Sequence, residues 1–337
     1  MRHGSVAVVL TLAAASGVMA FALAARNSAA TPASEAKSWT PPRTAWGDPD
    51  FQGVWRYEAA IALERPSRFA GRELLTDEEV ARSEQQEKEQ ESKRLAGEEG
   101  EAVGRRSVAE SPIRGNEYNS FWQDHGRPRK VYRQTSLITD PRDGQIPYTP
   151  DAQKADARTA ARYGVGPYES YLDPDTGERC LTDGVTGMMW QGPNGGHNQI
   201  VQSPGYVTIL HEEYRDRRII PVDGRPHGKI RQWFGDSVGH WEGDTLVVHT
   251  THIKARPQQR GLLMTSDKAI VTEGIRLRDK DHLQIDTVVE DPVTLLEPWR
   301  TTRVYERSNA GFFDRVCDNN RDGNDEEPNL TPPGAPR

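Results

Sequence analysis

The stretch that decides the fold is "WFGDSVGHWEGDTLVVHTTHI", which runs from residue 233 to residue 253. Gly243 and Asp244 in its middle are typical of a two-residue hairpin turn. With this turn, successive side chains point to opposite faces of the two paired strands. One face is apolar or small and is predicted to be core; it carries Gly239, Trp241, Leu246, Val248 and Thr250.

The opposite face of this hairpin is polar and carries His240, Glu242 and His249. His240 and His249 would be diagonal neighbours, with backbones about 7–8 Å apart. A zinc site needs three or four converging ligands, and the hairpin places only these two histidines, with Glu242 as a doubtful third. We therefore predict a solvent-facing polar surface here and no metal.

The chain beyond Gln199 alternates between short apolar segments and turn residues. The predicted strands are 199–202, 206–211, 217–222, 269–277, 283–289, 299–307 and 312–316, together with the hairpin. Consecutive hairpins indicate a mainly β fold, an antiparallel meander closed as a barrel, with a β-sandwich as the alternative.

The part of the chain before these strands is predicted to be helical and irregular. Thr76 and Glu79 have the spacing of a capping box, which predicts the start of a helical insertion near 76–100. Residues 31–45 are rich in Pro and Ser and predict a linker, whereas 318–337 are acidic and Pro-rich and predict a disordered tail. A single β-rich domain is expected over 46–317.

The first 30 residues predict export. They combine a basic start, a long apolar run and small residues before Thr31, which is typical of a cleaved signal peptide. An uncleaved anchor is the alternative, since about 20 apolar residues can cross a bilayer. We expect a periplasmic or secreted protein with no membrane span after cleavage. Cys180 and Cys317 are the two cysteines, and in an exported chain they predict a disulfide.

The charge balance argues against one class of partner. The chain of 337 residues has a net charge of −7 and no basic stripe, so no nucleic-acid partner is expected. The sequence predicts no cofactor, and it does not indicate the oligomeric state.

Glu273 is the main catalytic candidate, because strand alternation places it on one face with Val271 and Ile275. A carboxyl group among aliphatic side chains could act as a general acid or base. The alternative is a carboxylate that reaches solvent or pairs with an arginine. His240 and Asp236 complete the candidate catalytic set, which requires that at least two of the three converge.

Ligand-binding candidates come from aromatic residues and from two polar loops. The Gly-rich stretch 188–199 and the turn "DGRPH" at 223–227 could each place side chains at the mouth of a barrel. The candidate ligand-binding residues are Trp55, Trp190, His197, Arg225 and Trp241.

The same motifs carry a resemblance to a known family. "DGRPH" followed by "WFGDSVGHWEGDTLVV" resembles a widespread family of exported bacterial proteins of unknown function, which repeats a Trp-x-Gly-x-Ser-x-Gly-x-Trp-Glu-Gly-Asp-Thr-Leu-Val-Val pattern. "RCLTDG", "EDPVTLLEPW" and "VCDNN" are also similar to segments of that family. The chain departs from the pattern after Val248, where "HTTHI" replaces an acidic residue and a small polar run. The resemblance implies export and a shared fold, and it names no activity.

A second likeness concerns the first strand. "DFQGVW" resembles the Gly-x-Trp of lipocalin-type barrels, with Gly53 and Trp55 at the matching positions. It implies an antiparallel barrel with an apolar pocket. The sequence thus predicts an exported protein that binds a small, largely apolar molecule in a lipocalin-like barrel. The alternatives are a hydrolase or lyase using carboxylate and histidine acid–base chemistry, and a structural or interaction protein of the envelope.

Overall fold

The structure is a computed structural model, and the contacts within it divide the chain into Met1–Thr40 and Pro41–Arg337. It describes residues 39–57, 61–101, 131–162, 176, 179–182, 184–187, 197–212, 214, 216–255, 265–309 and 311–312. The predicted leader and acidic tail, Trp190 and Cys317 lie outside the described residues, so those predictions and the single-domain boundaries stay predictions. No helix in the described part is long and apolar enough to cross a membrane.

Strands make up most of the described regular structure. They are β1 (Gly53–Arg56), β2 (Ile138–Asp140), β3 (His197–Ser203), β4 (Tyr206–His211), β5 (Arg217–Pro221), β6 (Asp236–Glu242), β7 (Thr245–Thr251), β8 (Ile270–Leu277), β9 (His282–Glu290) and β10 (Trp299–Ser308). The helices are α1 (Asp77–Glu101), α2 (Pro150–Arg162) and the single turn α3 (Gly184–Gly187), with a short 3-10 segment at Ser67–Phe69.

All ten strands belong to one antiparallel sheet that curls into a nearly closed barrel. Its strand order is β5-β4-β3-β1-β10-β9-β8-β7-β6, with β2 added beside β10. The prediction of a mainly β, antiparallel barrel is therefore confirmed, and the alternative of two packed sheets is not what forms.

The connectivity departs from a plain meander at one strand. β1 lies between β3 and β10, so Trp55 is opposite Asn198 on one side and Arg307 on the other. Two runs of consecutive hairpins, β3 to β5 and β6 to β10, are joined through this N-terminal strand. The hairpin signals could not show this, because they report only strands that follow each other in sequence.

The opening hairpin forms with the predicted register. Glu242 is opposite Thr245 and Gly239 is opposite Val248, with Gly243 at a φ of +61° in the turn. Leu246 and Val248 are fully buried on the inner face. The two-residue turn thus sets which side chains enter the barrel.

The barrel is closed by side chains where β5 meets β6. Among the described strands, no backbone ladder joins these two. A methyl group placed on Gly239 of β6 would lie 3.0 Å from Cγ2 of Ile220 and 3.2 Å from Cγ1 of Val222. The absence of a side chain at Gly239 therefore lets the two strands pack closely at this seam.

The predicted helical insertion is confirmed in α1. The Thr76 amide donates to Oε2 of Glu79 at 2.9 Å, and the Glu79 amide donates to Oγ1 of Thr76 at 3.2 Å. This reciprocal pair satisfies backbone donors at the start of the helix. Asp77 and Glu78 extend the favourable negative charge over the first turn.

Candidate functional site

A small cavity inside the barrel is the candidate site. Half of its lining is apolar: Trp55, Val185, Ile200, Ile209, Leu283 and Ile285. The other half can form hydrogen bonds: Asn198, Arg218, Glu273, Thr287, Arg303 and Tyr305. The cavity volume is about 30 Å³, which is room for roughly two water molecules.

An ion pair crosses the barrel from β5 to β8. Nη2 of Arg218 lies 2.5 Å from Oε2 of Glu273, and both side chains are at least nine-tenths buried. The guanidinium also donates to Oγ of Ser237 at 2.9 Å and to Oγ1 of Thr250 at 2.7 Å. Alternation along "RRIIP" places Arg218 on the same inward face as the fully buried Ile220. These contacts therefore link β5 across the seam to β6, β7 and β8.

A second arginine lies on β10. Nη1 of Arg303 donates to the hydroxyl of Tyr305 at 2.7 Å, and its guanidinium carbon lies 5.6 Å from the ring centre of Tyr57. Burial raises the pKa of Tyr305 above its ordinary value of 10.0, so the phenol stays protonated at neutral pH. The cavity therefore meets a cation and a neutral hydroxyl on this wall.

Two buried histidines lie where β3 begins and where β4 ends. Nδ1 of His197 lies 2.9 Å from Oε2 of Glu212, and Nδ1 of His211 lies 3.0 Å from Oδ1 of Asn198. Complete burial lowers the pKa of His211 from 6.5 to about 4, so its ring is neutral under ordinary conditions. Asn198 links this histidine to the cavity, which it lines.

The predicted ligand-binding residues are dispersed. Trp55 is fully buried and lines the cavity. His197 is buried against Glu212, and Trp241 packs edge-on against Phe51 at 5.3 Å between ring centres; neither lines the cavity. Arg225 is exposed and pairs with Asp223 in its own turn, while Trp190 lies outside the described residues.

The three candidate catalytic residues do not converge. Glu273 points into the barrel and pairs with Arg218, which is the alternative that the sequence had left open for it. Asp236 and His240 lie on the other face of the sheet, where His240 contacts Glu242 at 3.0 Å. They are four residues apart on one strand, so about 13 Å separates their backbones. The condition that an enzyme would require, convergence of at least two of the three, is therefore not seen in this structure, and a catalytic role for any one of them stays a prediction.

Neither arginine of the cavity was among the site residues predicted from the sequence. Each occurs in a strand where alternation pairs it with buried neighbours: Arg218 with Ile220, and Arg303 with Trp299 and Tyr305. Applying the period of two to charged residues as well as apolar ones would have placed both inside. Among the described residues, no three or more His, Cys, Asp or Glu side chains are arranged so that they could hold a metal ion.

Comparisons with known proteins assign neither a family nor a function to this chain. No family model and no curated protein matches the chain. Among solved structures, it is similar to the secretary abundant heat soluble (SAHS) protein from Ramazzottius varieornatus. That similarity has 10% identity and a TM-score of 0.24, and it covers 40% of this chain and 87% of that one. The barrel assignment rests on the strand pairing of this chain, and the resemblance carried by the "DGRPH" and "WEGDTLVV" motifs stays a prediction.

Proposed function

We propose that this protein is an exported binding protein that holds a small molecule in the interior of its barrel. The observation that carries the proposal is the divided lining of the cavity, with six apolar residues and six that can form hydrogen bonds. Ligand sites of this kind combine apolar walls with a few polar groups that orient the ligand. Export is supported by the signal-like pattern of residues 1–30.

The lining refines the expected chemistry of the ligand. The apolar walls from β3, β4 and β9 favour a ligand with a largely apolar body, as predicted from the sequence. The arginines and Tyr305 favour one polar end that can accept hydrogen bonds from Arg303 or Tyr305. We therefore infer an amphipathic ligand rather than a purely apolar one.

The ligand needs more room than the cavity of about 30 Å³ provides, because sites for small organic molecules have volumes of roughly 300 Å³ or more. Val185 of α3 is the lining residue that does not lie on a strand. Moving this single helical turn breaks no strand pairing, whereas moving any other lining residue disturbs the sheet. Ligand binding is therefore expected to displace α3.

Titration with the dye ANS, which has an aromatic body and an anionic end, tests the proposal. We expect saturable binding of one dye per chain, lost when Ile200→Trp fills the cavity from β3. Ile219→Trp on the exposed face of β5 is the matched control and should leave binding intact. Equal binding by the two variants, or no saturable binding by the wild-type protein, would contradict a site inside the barrel.

A further inference from the structure

A chain of three side chains lies on the outer face of the barrel, away from the cavity. His227, in the β5–β6 loop (residues 222–235), lies between Asp236 of β6 and His249 of β7. Its Nδ1 is 2.7 Å from Oδ2 of Asp236, and its Nε2 is 2.9 Å from Nδ1 of His249. The Gly228 amide donates to the same Asp236 oxygen at 2.9 Å. The loop is thus held to the hairpin through a histidine pair.

The distances dictate where the protons lie. The Asp236 carboxylate accepts the proton of His227 Nδ1, which leaves a lone pair on His227 Nε2. That lone pair accepts the proton of His249 Nδ1. The pair can bind one additional proton, because His227 Nε2 then carries a hydrogen and donates it to an unprotonated Nδ1 of His249. It cannot bind a second additional proton without strain, since both nitrogens would then carry a hydrogen and face each other across 2.9 Å.

Other ionisable groups near the pair act in both directions. The Asp236 carboxylate contacts Nδ1 of His227, and Glu290 at the end of β9 favours the charged form of His249. The ring of His252 lies 6.2 Å from that of His227, and its Nδ1 contacts Oγ1 of Thr251. Burial, followed by the neighbouring His227, nevertheless lowers the pKa of His249 below 6.5.

We propose that His227, His249 and Asp236 form a pH-sensitive latch that holds the β5–β6 loop on the barrel and releases it when both imidazoles become charged. The idea is independent of the ligand proposed above. Release is confined to the middle of the loop, because Gln232 is held separately by backbone bonds to His252 at 3.1 Å and Lys254 at 2.7 Å. At the other end, Arg225 binds Asp223 and Tyr206.

The latch holds the β5–β6 loop against the outer face beside the seam. β5 and β6 contact each other through side chains alone, and the β5–β6 loop is the covalent link between them. Protonation is expected to free residues 226–230 and to expose His249 together with the outer face of β6 and β7, while Arg231 stays paired with Asp267. Ile230, which is already three-quarters exposed, lies within the released segment.

Hydrogen exchange measured by mass spectrometry between pH 8 and pH 5, corrected for the intrinsic exchange rate, tests the latch. Opening of residues 226–230 should rise roughly tenfold for each unit by which the pH falls, over the range where the open form takes up one more proton than the closed form. His249→Gln keeps an amide donor for His227 without a titratable ring, and should abolish the rise. His240→Gln, on the same outer face but paired with Glu242, should leave it unchanged.

A rise that persists in His249→Gln, or flat exchange in the wild-type protein, would overturn the proposal. Imidazole nitrogen shifts from NMR of the wild-type protein give a second test that needs no variant. We expect the pKa of His249 to lie below its ordinary value, because burial and the neighbouring His227 oppose its charged form. A His249 ring that titrates at the ordinary histidine value would equally refute the latch.

Discussion

Replacing the buried ion pair between Arg218 and Glu273 gives a sharp test of how the barrel interior is built. Glu273→Leu would leave the guanidinium with Ser237 and Thr250 as neutral acceptors. Arg218→Met would leave a carboxylate with no cation paired to it. Both side chains are at least nine-tenths buried, so bulk solvent does not surround the charge that remains.

The expected magnitudes follow from this burial. Each single change should lower the free energy of unfolding by roughly 3–5 kcal/mol, because it removes one charge of the buried pair and leaves the other. The double variant Arg218→Met/Glu273→Leu removes both charges. Its free energy of unfolding should lie within about 1 kcal/mol of the wild-type value or exceed it.

Urea unfolding followed by tryptophan fluorescence measures these differences. Disrupting the exposed Arg225–Asp223 pair by Asp223→Ala is the control and should not change stability measurably. A loss of stability in the double variant equal to the sum of the two single losses would contradict this expectation. Additivity would mean that the two charges do not depend on each other.

Three further outcomes are expected. Gly239→Ala should destabilise the protein by about 1–3 kcal/mol in thermal or urea unfolding, because the new methyl group would meet Ile220 at 3.0 Å. The pKa of His211 is about 4 in the folded protein and 6.5 in the unfolded chain, so the unfolded chain takes up the proton first as the pH falls. The free energy of unfolding should therefore fall by up to about 3 kcal/mol between pH 6.5 and pH 4, and His211→Gln should flatten that slope. The mass of the denatured chain should increase by that of two hydrogen atoms on reduction if Cys180 and Cys317 form a disulfide. An unchanged mass would exclude the disulfide.

Local features of the fold were predictable from the sequence because local chemistry specifies them. The Gly243-Asp244 turn determined the register of its hairpin, and the Thr76–Glu79 spacing located the start of α1. The insertion of β1 between β3 and β10 was not predictable, since neither partner is adjacent to it in sequence.

The candidate site was harder to predict, because it joins residues across the barrel. Alternation placed Glu273 on the inward face, and an arginine partner was one stated possibility. Which arginine it meets depends on how β5 approaches β6 at the seam, where no backbone ladder sets a register. His227 was interpreted only as part of a turn, since its contact with His249 requires the loop to fold back over the hairpin.

The position of β1 also governs the order in which the barrel can assemble. Its contacts with β10 join the two ends of the chain that forms the barrel; Arg307 donates to the carbonyl oxygen of Gln52 from 255 positions away. The two hairpin runs, β3 to β5 and β6 to β10, pair strands that lie much closer in sequence and can form early. Joining them through β1 has the largest loop-closure cost, so this step is expected to be late and rate-limiting. Until it occurs, the facing edges of β3 and β10 are open to pairing with other chains, and aggregation during refolding should depend on how quickly β1 docks.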